Sequence, residues 1–95
     1  MIVTIFFLKP NLIIVNIKDN VAIALTDISK GETAALSGGH SFVAKTDIPF
    51  SHKMLLENLL EGENIIKYGE VIGKTSSSLA QGEWIHTHNL ENMGE

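Results

Sequence analysis

Large apolar residues alternate with small ones across residues 21–26, the period of two that turns one face of a strand toward a core. Gly38-Gly39 lies between residues 32–37 and 40–45, which predicts a hairpin closed by a two-residue turn. Residues 65–68 and 70–74 are two further short strands, broken by Gly69 and Gly73 as at bulges or tight bends. Thr75-Ser76-Ser77-Ser78 forms a polar loop. Val21, Ile23, Leu25, Ile28, Leu59, Ile66, Val71 and Ile72 are the expected core, and no cofactor-binding motif runs through them.

A six-residue unit recurs between these elements. Asp27-Ile28-Ser29-Lys30-Gly31-Glu32 returns as Asn58-Leu59-Leu60-Glu61-Gly62-Glu63 and as Ser78-Leu79-Ala80-Gln81-Gly82-Glu83. Each copy starts with a side-chain oxygen that can cap a helical turn, follows with an apolar plug, and ends on Gly and Glu. The Gly suits the left-handed conformation that closes a turn. The unit reads as one capped helical turn feeding a strand. The first two copies extend backwards, aligning Ala22-Ile23-Ala24-Leu25 with Lys53-Met54-Leu55-Leu56. Residues 53–60 alone look helical, being good helix formers without β-branching. The alignment assigns their start to a strand instead, because tertiary context overrides propensity. The whole is an all-β domain, a small distorted barrel or clip of short hairpins with single helical turns.

Composition narrows the function. Ninety-five residues make one small domain, too small to enclose an active site on all sides, which points to a module or a subunit. Without Cys, any metal must be held by His and carboxylates, and a cytoplasmic protein is expected. A net charge of −4 without a basic cluster argues against nucleic acid. All seven basic residues are Lys. Bidentate recognition of an anion, the work of Arg, then falls to another chain. The apolar run at residues 2–8 ends at Lys9-Pro10, far short of the roughly 20 residues that span a bilayer. No membrane anchor or signal peptide is expected.

Candidate chemistry concentrates near the C-terminus, in Trp84-Ile85-His86-Thr87-His88-Asn89. In a strand, His86 and His88 would share a face about 6–7 Å apart, close enough to converge on one metal ion or one bound acid. The pair supplies two ligands for Zn, Fe or Mn and needs more from elsewhere. The structural alternative is a half-exposed strand with polar residues toward water. Asn89 can hold an imidazole in one tautomer or bind a substrate hydroxyl, though by parity it faces away from His88. Trp84 shares the parity of the histidines and either walls a pocket or fills core. His40 is expected to be a polar hairpin residue, and Tyr68 a strand residue with its hydroxyl at the surface. Glu32, Glu63 and Glu83 recur with the Gly, so their role is structural.

A family resemblance rests on a longer set of residues. Asp19-Asn20-Val21, Asp27-Ile28 with Gly31-Glu32, Asp47-Ile48-Pro49 with His52-Lys53, and Ile66-Lys67-Tyr68-Gly69 occur in this order. Ile72-Gly73 follows, then Gly82-Glu83 with Ile85-His86 and His88-Asn89. Together they resemble the N-terminal domain of the altronate and galactarate dehydratases. That domain belongs to the SAF group of β-clip folds, similar to type III antifreeze protein and the C-terminal domain of sialic acid synthase. The resemblance covers residues 17–90. It leaves 1–16 as an extension or edge strand and 91–95 as a tail. One departure concerns residue 51, where the family favours Gly before His-Lys and this chain has Ser51, which bears on the aim of His52.

The resemblance implies metal-assisted elimination of water from a sugar acid, with Fe2+ or Mn2+ shared with a large subunit. That larger part is fused to the SAF-like domain or encoded separately, and with Glu95 the last residue a separate large subunit is expected. Such a reaction removes a proton beside a carboxylate and expels a β-hydroxyl. His52, His86 and His88 fit acid–base roles by residue type. Lys53 can meet an acidic substrate as a point charge, although Lys is usually a solvated surface residue. The expected partners are the large dehydratase subunit, the sugar acid and, through exposed strand edges, further copies of the chain. Two other readings stand beside this one. The chain is a non-catalytic β-clip docking module, or it is similar to the small subunit of sulfolactate sulfo-lyase, where sulfite is the group eliminated.

Overall fold

The computed structural model describes residues 9–92, and every regular element among them is a β-strand. In chain order these are β1 (Leu12–Ile13), β2 (Val21–Ala24), β3 (Thr33–Ala35), β4 (Ser41–Val43) and β5 (Lys53–Leu55). β6 (Asn64–Lys67), β7 (Glu70–Thr75), β8 (Trp84–Ile85) and β9 (Leu90–Asn92) follow. β1-β2-β5-β8 form a four-stranded antiparallel sheet, β3-β4 a hairpin, and β6-β7-β9 a three-stranded sheet. No helix among the described residues is long and apolar enough to cross a membrane.

The alignment of residues 53–55 with 22–24 holds, and the two segments pair with each other: Val21 lies opposite Leu55 and Ala22 opposite Met54. Both Met54 and Leu55 are fully buried, because the central sheet has apolar residues on both faces. Met54 enters a cluster with Leu12, Ala22, Ala24, Ile28 and Ile48. Leu55 enters a second cluster with Val21, Leu59, Ile65, Leu79 and Ile85. β5 therefore separates two small cores. At its N-terminal edge the sheet is tied down by Asn11, whose carboxamide accepts from the Ala35 N–H and donates to the Thr33 carbonyl. The apolar run at residues 2–8 lies outside the described residues, and so does the tail from residue 93 onward. Glu91 and Asn92 belong to β9.

Three local expectations need correction. The recurring units contain no helical turn. In each, the second residue makes an isolated antiparallel bridge to another unit, Ile28 to Ile48 and Leu59 to Leu79. Residues three to six then form a β-turn, closed by N–H donation from Glu32 to the Ser29 carbonyl, from Glu63 to Leu60 and from Glu83 to Ala80. The leading side chain caps the partner unit rather than its own: Asp27 Oδ1 accepts from the Phe50 N–H at 2.8 Å, and Asn58 Oδ1 from the Gln81 N–H at 2.8 Å. Pairing between units outcompetes the helical hydrogen bond that each could make alone. The hairpin at Gly38-Gly39 has three loop residues, because the Leu36 N–H still donates to the His40 carbonyl. Finally, Gly73 does not break β7. A Cβ there would lie 2.4 Å from the Glu91 carbonyl oxygen, so the glycine lets β9 pair closely. The irregularity sits one residue earlier: Ile65 pairs with Gly73 and Ile66 with Val71, which leaves Ile72 as a bulge.

The bulge also explains part of the core. Val21, Ile28 and Leu59 are buried, and Ile23, Ile66 and Ile72 are half-buried. Leu25 and Val71 are 43% and 44% exposed, contrary to expectation. Val71 precedes the bulge that resets strand alternation, and Leu25 lies just past the end of β2.

Candidate functional site

The bridges reveal a fourth unit that its sequence conceals. Ile48 pairs with Ile28, and Asp47 Oδ1 accepts from the Lys30 N–H at 2.8 Å, returning the cap that Asp27 gives Phe50. Asp47-Ile48-Pro49-Phe50-Ser51-His52 is thus equivalent to the other three, and the His52 N–H closes its turn on the Pro49 carbonyl at 3.0 Å. The fifth residue has positive φ in every unit: 88° at Gly31, 68° at Ser51, 84° at Gly62 and 96° at Gly82. Ser51 therefore adopts the conformation of the Gly it replaces.

The sixth position sets this unit apart. In the other three, the Glu carboxylate accepts the N–H of the third residue, as Glu32 does from Ser29, Glu63 from Leu60 and Glu83 from Ala80. Pro49 has no N–H to give. A carboxylate at residue 52 would have nothing to clamp, and a histidine stands there instead, its ring free to leave the turn.

That ring joins an aromatic cluster. Trp84, directly after the unit at residues 78–83, pairs in β8 with Met54 of β5, and its backbone N–H donates to Thr46 Oγ1 at 3.1 Å. Its indole Nε1–H donates to His52 Nδ1 at 3.1 Å. The His86 ring stacks on Trp84 with centroids 5.0 Å apart and planes 11° from parallel. His52 lies 5.1 Å from His86, and His88 lies 5.2 Å from Trp84 and 6.4 Å from His86. His52, Trp84 and His86 are half-buried, whereas His88 is exposed.

The expected trio does come together, but strand parity is not the cause. β8 ends at Ile85, and residues 86–89 form a turn in which the Asn89 N–H donates to the His86 carbonyl. Asn89 builds that turn: Oδ1 accepts the His86 N–H at 2.9 Å and Nδ2 donates to the Trp84 carbonyl at 2.8 Å. Buried and committed to the backbone, it holds the two histidines from beneath. Lys53, the first residue of β5, lies opposite Ile23 and Ile85, whereas Trp84 pairs with the next residue, Met54, so Lys53 and Trp84 take opposite faces of the sheet. Burial, and then the charge of Lys67, hold its pKa below the ordinary lysine value. The structure does not bring Lys53 to the histidines. His40 is exposed at the β3–β4 hairpin. Trp84 and Pro49 are the residues whose importance sequence reasoning understated, and the missing N–H in a degenerate fourth repeat was the available signal.

No group of three or more His, Cys, Asp and Glu side chains among the described residues is placed to hold a metal ion. The imidazoles of this chain do not complete a coordination shell by themselves. What they form is a partly buried face carrying nitrogen donors and acceptors.

The family model of the altronate/galactarate dehydratase SAF domain matches residues 10–93. This chain belongs to that family. The SAF domain described here is 43% identical over 74 residues to altronate dehydratase of Bacillus subtilis (strain 168), covering 78% of this chain and 15% of that protein. It is 35% identical over 71 residues to altronate dehydratase of Escherichia coli (strain K12), covering 75% of this chain and 14% of that protein. A third relative is (2R)-sulfolactate sulfo-lyase subunit alpha of Paracoccus pantotrophus, 48% identical over 48 residues, which are 50% of this chain and 72% of that subunit. The SAF domain thus spans a small fraction of the dehydratases it matches and most of the sulfo-lyase subunit.

Proposed function

We propose that this SAF domain is the small subunit of a sugar-acid dehydratase of the altronate or galactarate type, and that it contributes His52, His86 and His88 to a site completed by a large subunit. The observation that carries the proposal is the gathering of these rings around Trp84 on one half-exposed face, in a chain of the dehydratase SAF family. Elimination of water needs a group that moves a proton and a group that meets the departing hydroxyl or the substrate carboxylate. Exposed His88 and half-buried His86 suit proton transfer, and His52 suits contact with the anion. Lys53 lies outside this site, and Asn89 supports it from below. Fe2+ or Mn2+ belongs in the proposal only with most of its ligands on the large subunit.

A second reading keeps the lyase chemistry and changes the leaving group to sulfite. It is favoured by the 72% coverage of a sulfo-lyase alpha subunit, against 15% of a dehydratase. Turnover of altronate, galactarate and (2R)-sulfolactate by the chain combined with its large subunit separates the two. The isolated chain is expected to turn over none of them. His86→Ala and His88→Ala are expected to slow the assembled enzyme by about two orders of magnitude. The melting temperature should change little for His88→Ala, since exposed polar groups contribute little to stability, and fall only modestly for His86→Ala, whose half-buried ring stacks on Trp84. Unchanged turnover with a clear loss of stability would make the domain a docking module.

A further inference from the structure

We infer that Trp84 is a positioning residue that fixes which nitrogen of His52 carries the proton, and so makes His52 a hydrogen-bond donor in the site rather than a metal ligand. The inference rests on the reading of His52 as part of a shared lyase site. Indole is a donor only, and its Nε1–H points at His52 Nδ1 from 3.1 Å. Nδ1 must therefore offer a lone pair, which leaves the neutral ring its proton on Nε2. A metal at Nε2 would require that proton to move to Nδ1, where it would face the indole N–H. The indole is held from three sides. Its backbone N–H is bound by Thr46, its carbonyl by Asn89, and one ring face is covered by His86 at 5.0 Å. The edge-on approach of His52, with planes 68° apart, directs the bond along the indole N–H. An N–H at Nε2 suits an oxygen of an anionic substrate, and it gives the three histidines unequal parts, His52 binding while His86 and His88 remain free to exchange protons.

Nitrogen-15 NMR of the whole chain tests this, at a pH about two units above the ordinary histidine value of about 6.5. The expected result is an unprotonated Nδ1 on His52, joined to Trp84 Nε1 by a coupling across the hydrogen bond. Trp84→Phe keeps an aromatic ring and removes the N–H, so the coupling should vanish and the Nδ1 resonance should shift, with backbone amides outside the cluster unmoved. A protonated Nδ1 in the wild-type chain overturns the inference, as does a His52 nitrogen pattern that Trp84→Phe leaves unchanged. Neither measurement needs the large subunit. Failure here leaves the lyase reading intact, and failure of the turnover experiments leaves the tautomer result standing.

Discussion

Two turns of nearly the same backbone, 47–52 and 78–83, serve different ends in this domain. In the latter, Glu83 folds back and clamps the Ala80 N–H, so its charge is spent on holding the turn. In the former, Pro49 removes the N–H and His52 reaches across to Trp84. The unit at residues 78–83 then delivers Trp84 itself, the residue that meets the released histidine. A repeated structural device is thus altered in one copy, by loss of the donor at Pro49 and exchange of the Glu for His52. Repeats stabilise through equivalent contacts, so the copy that departs from the pattern marks where another demand has been met.

The largest expected effect comes from erasing the difference. Pro49→Ala with His52→Glu restores both halves of the clamp and makes residues 47–52 a copy of the other units. Turnover of the assembled lyase should fall by about two orders of magnitude, as for loss of a positioned imidazole. The melting temperature of the chain should stay within a few degrees, because the regained hydrogen bond is worth about 1 kcal/mol. Pro49→Ala alone should retain turnover. An active double variant would remove His52 from the site, and an unfolded one would show that the four units are not equivalent.

Much of this was legible in the residues, and the illegible parts share a cause. The strand at 53–55, the all-β architecture and the structural role of the three Glu residues followed from repetition. Helical turns were expected because a local sequence shows its own capping residue but not the partner unit that Asp27 and Asn58 cap instead. The fourth unit was hidden because Pro49, Ser51 and His52 replace the residues that identify the others. Alternation, which is visible in sequence, places His86 and His88 on a strand, whereas the capture of the His86 N–H by the Asn89 carboxamide, which ends the strand, is a competition decided in three dimensions. The face taken by Lys53 depended on register, which only the β2–β5–β8 pairing fixes.

A smaller effect is expected at residue 51. Ser51 holds φ at 68° where its equivalents are glycines, a conformation that costs a residue with a Cβ roughly 1–2 kcal/mol. Glycine loses about half to one kcal/mol of that advantage through its greater freedom in the unfolded chain. Ser51→Gly should therefore stabilise the domain by about half to one kcal/mol, raising its melting temperature by a few degrees. Turnover should be unchanged, since the turn already aims His52 as a glycine would. A lower melting temperature would mean that the Ser51 side chain contributes something that the backbone geometry does not reveal.

The smallest effect separates the clamped turns from the unclamped one by pH. Hydrogen bonds from the Ser29 side chain, and then from its backbone N–H, hold the Glu32 carboxyl below its ordinary value of 4.5, while slight burial and Asp47 oppose them. A carboxyl whose pKa is lower in the folded chain than in the unfolded one binds its proton more readily when unfolded. Its contribution to stability is complete above the unfolded value and is lost as pH falls through the folded one. Glu32 is solvent-exposed, so the effect is screened and small. Glu32→Gln keeps an oxygen for the Ser29 N–H but cannot titrate. Wild type should melt slightly higher than the variant at neutral pH, with the gap closing below about pH 4.5. Curves that run parallel from neutral to acid pH would show that the clamp acts through shape alone, and the contrast with His52 would then lie in geometry rather than in charge.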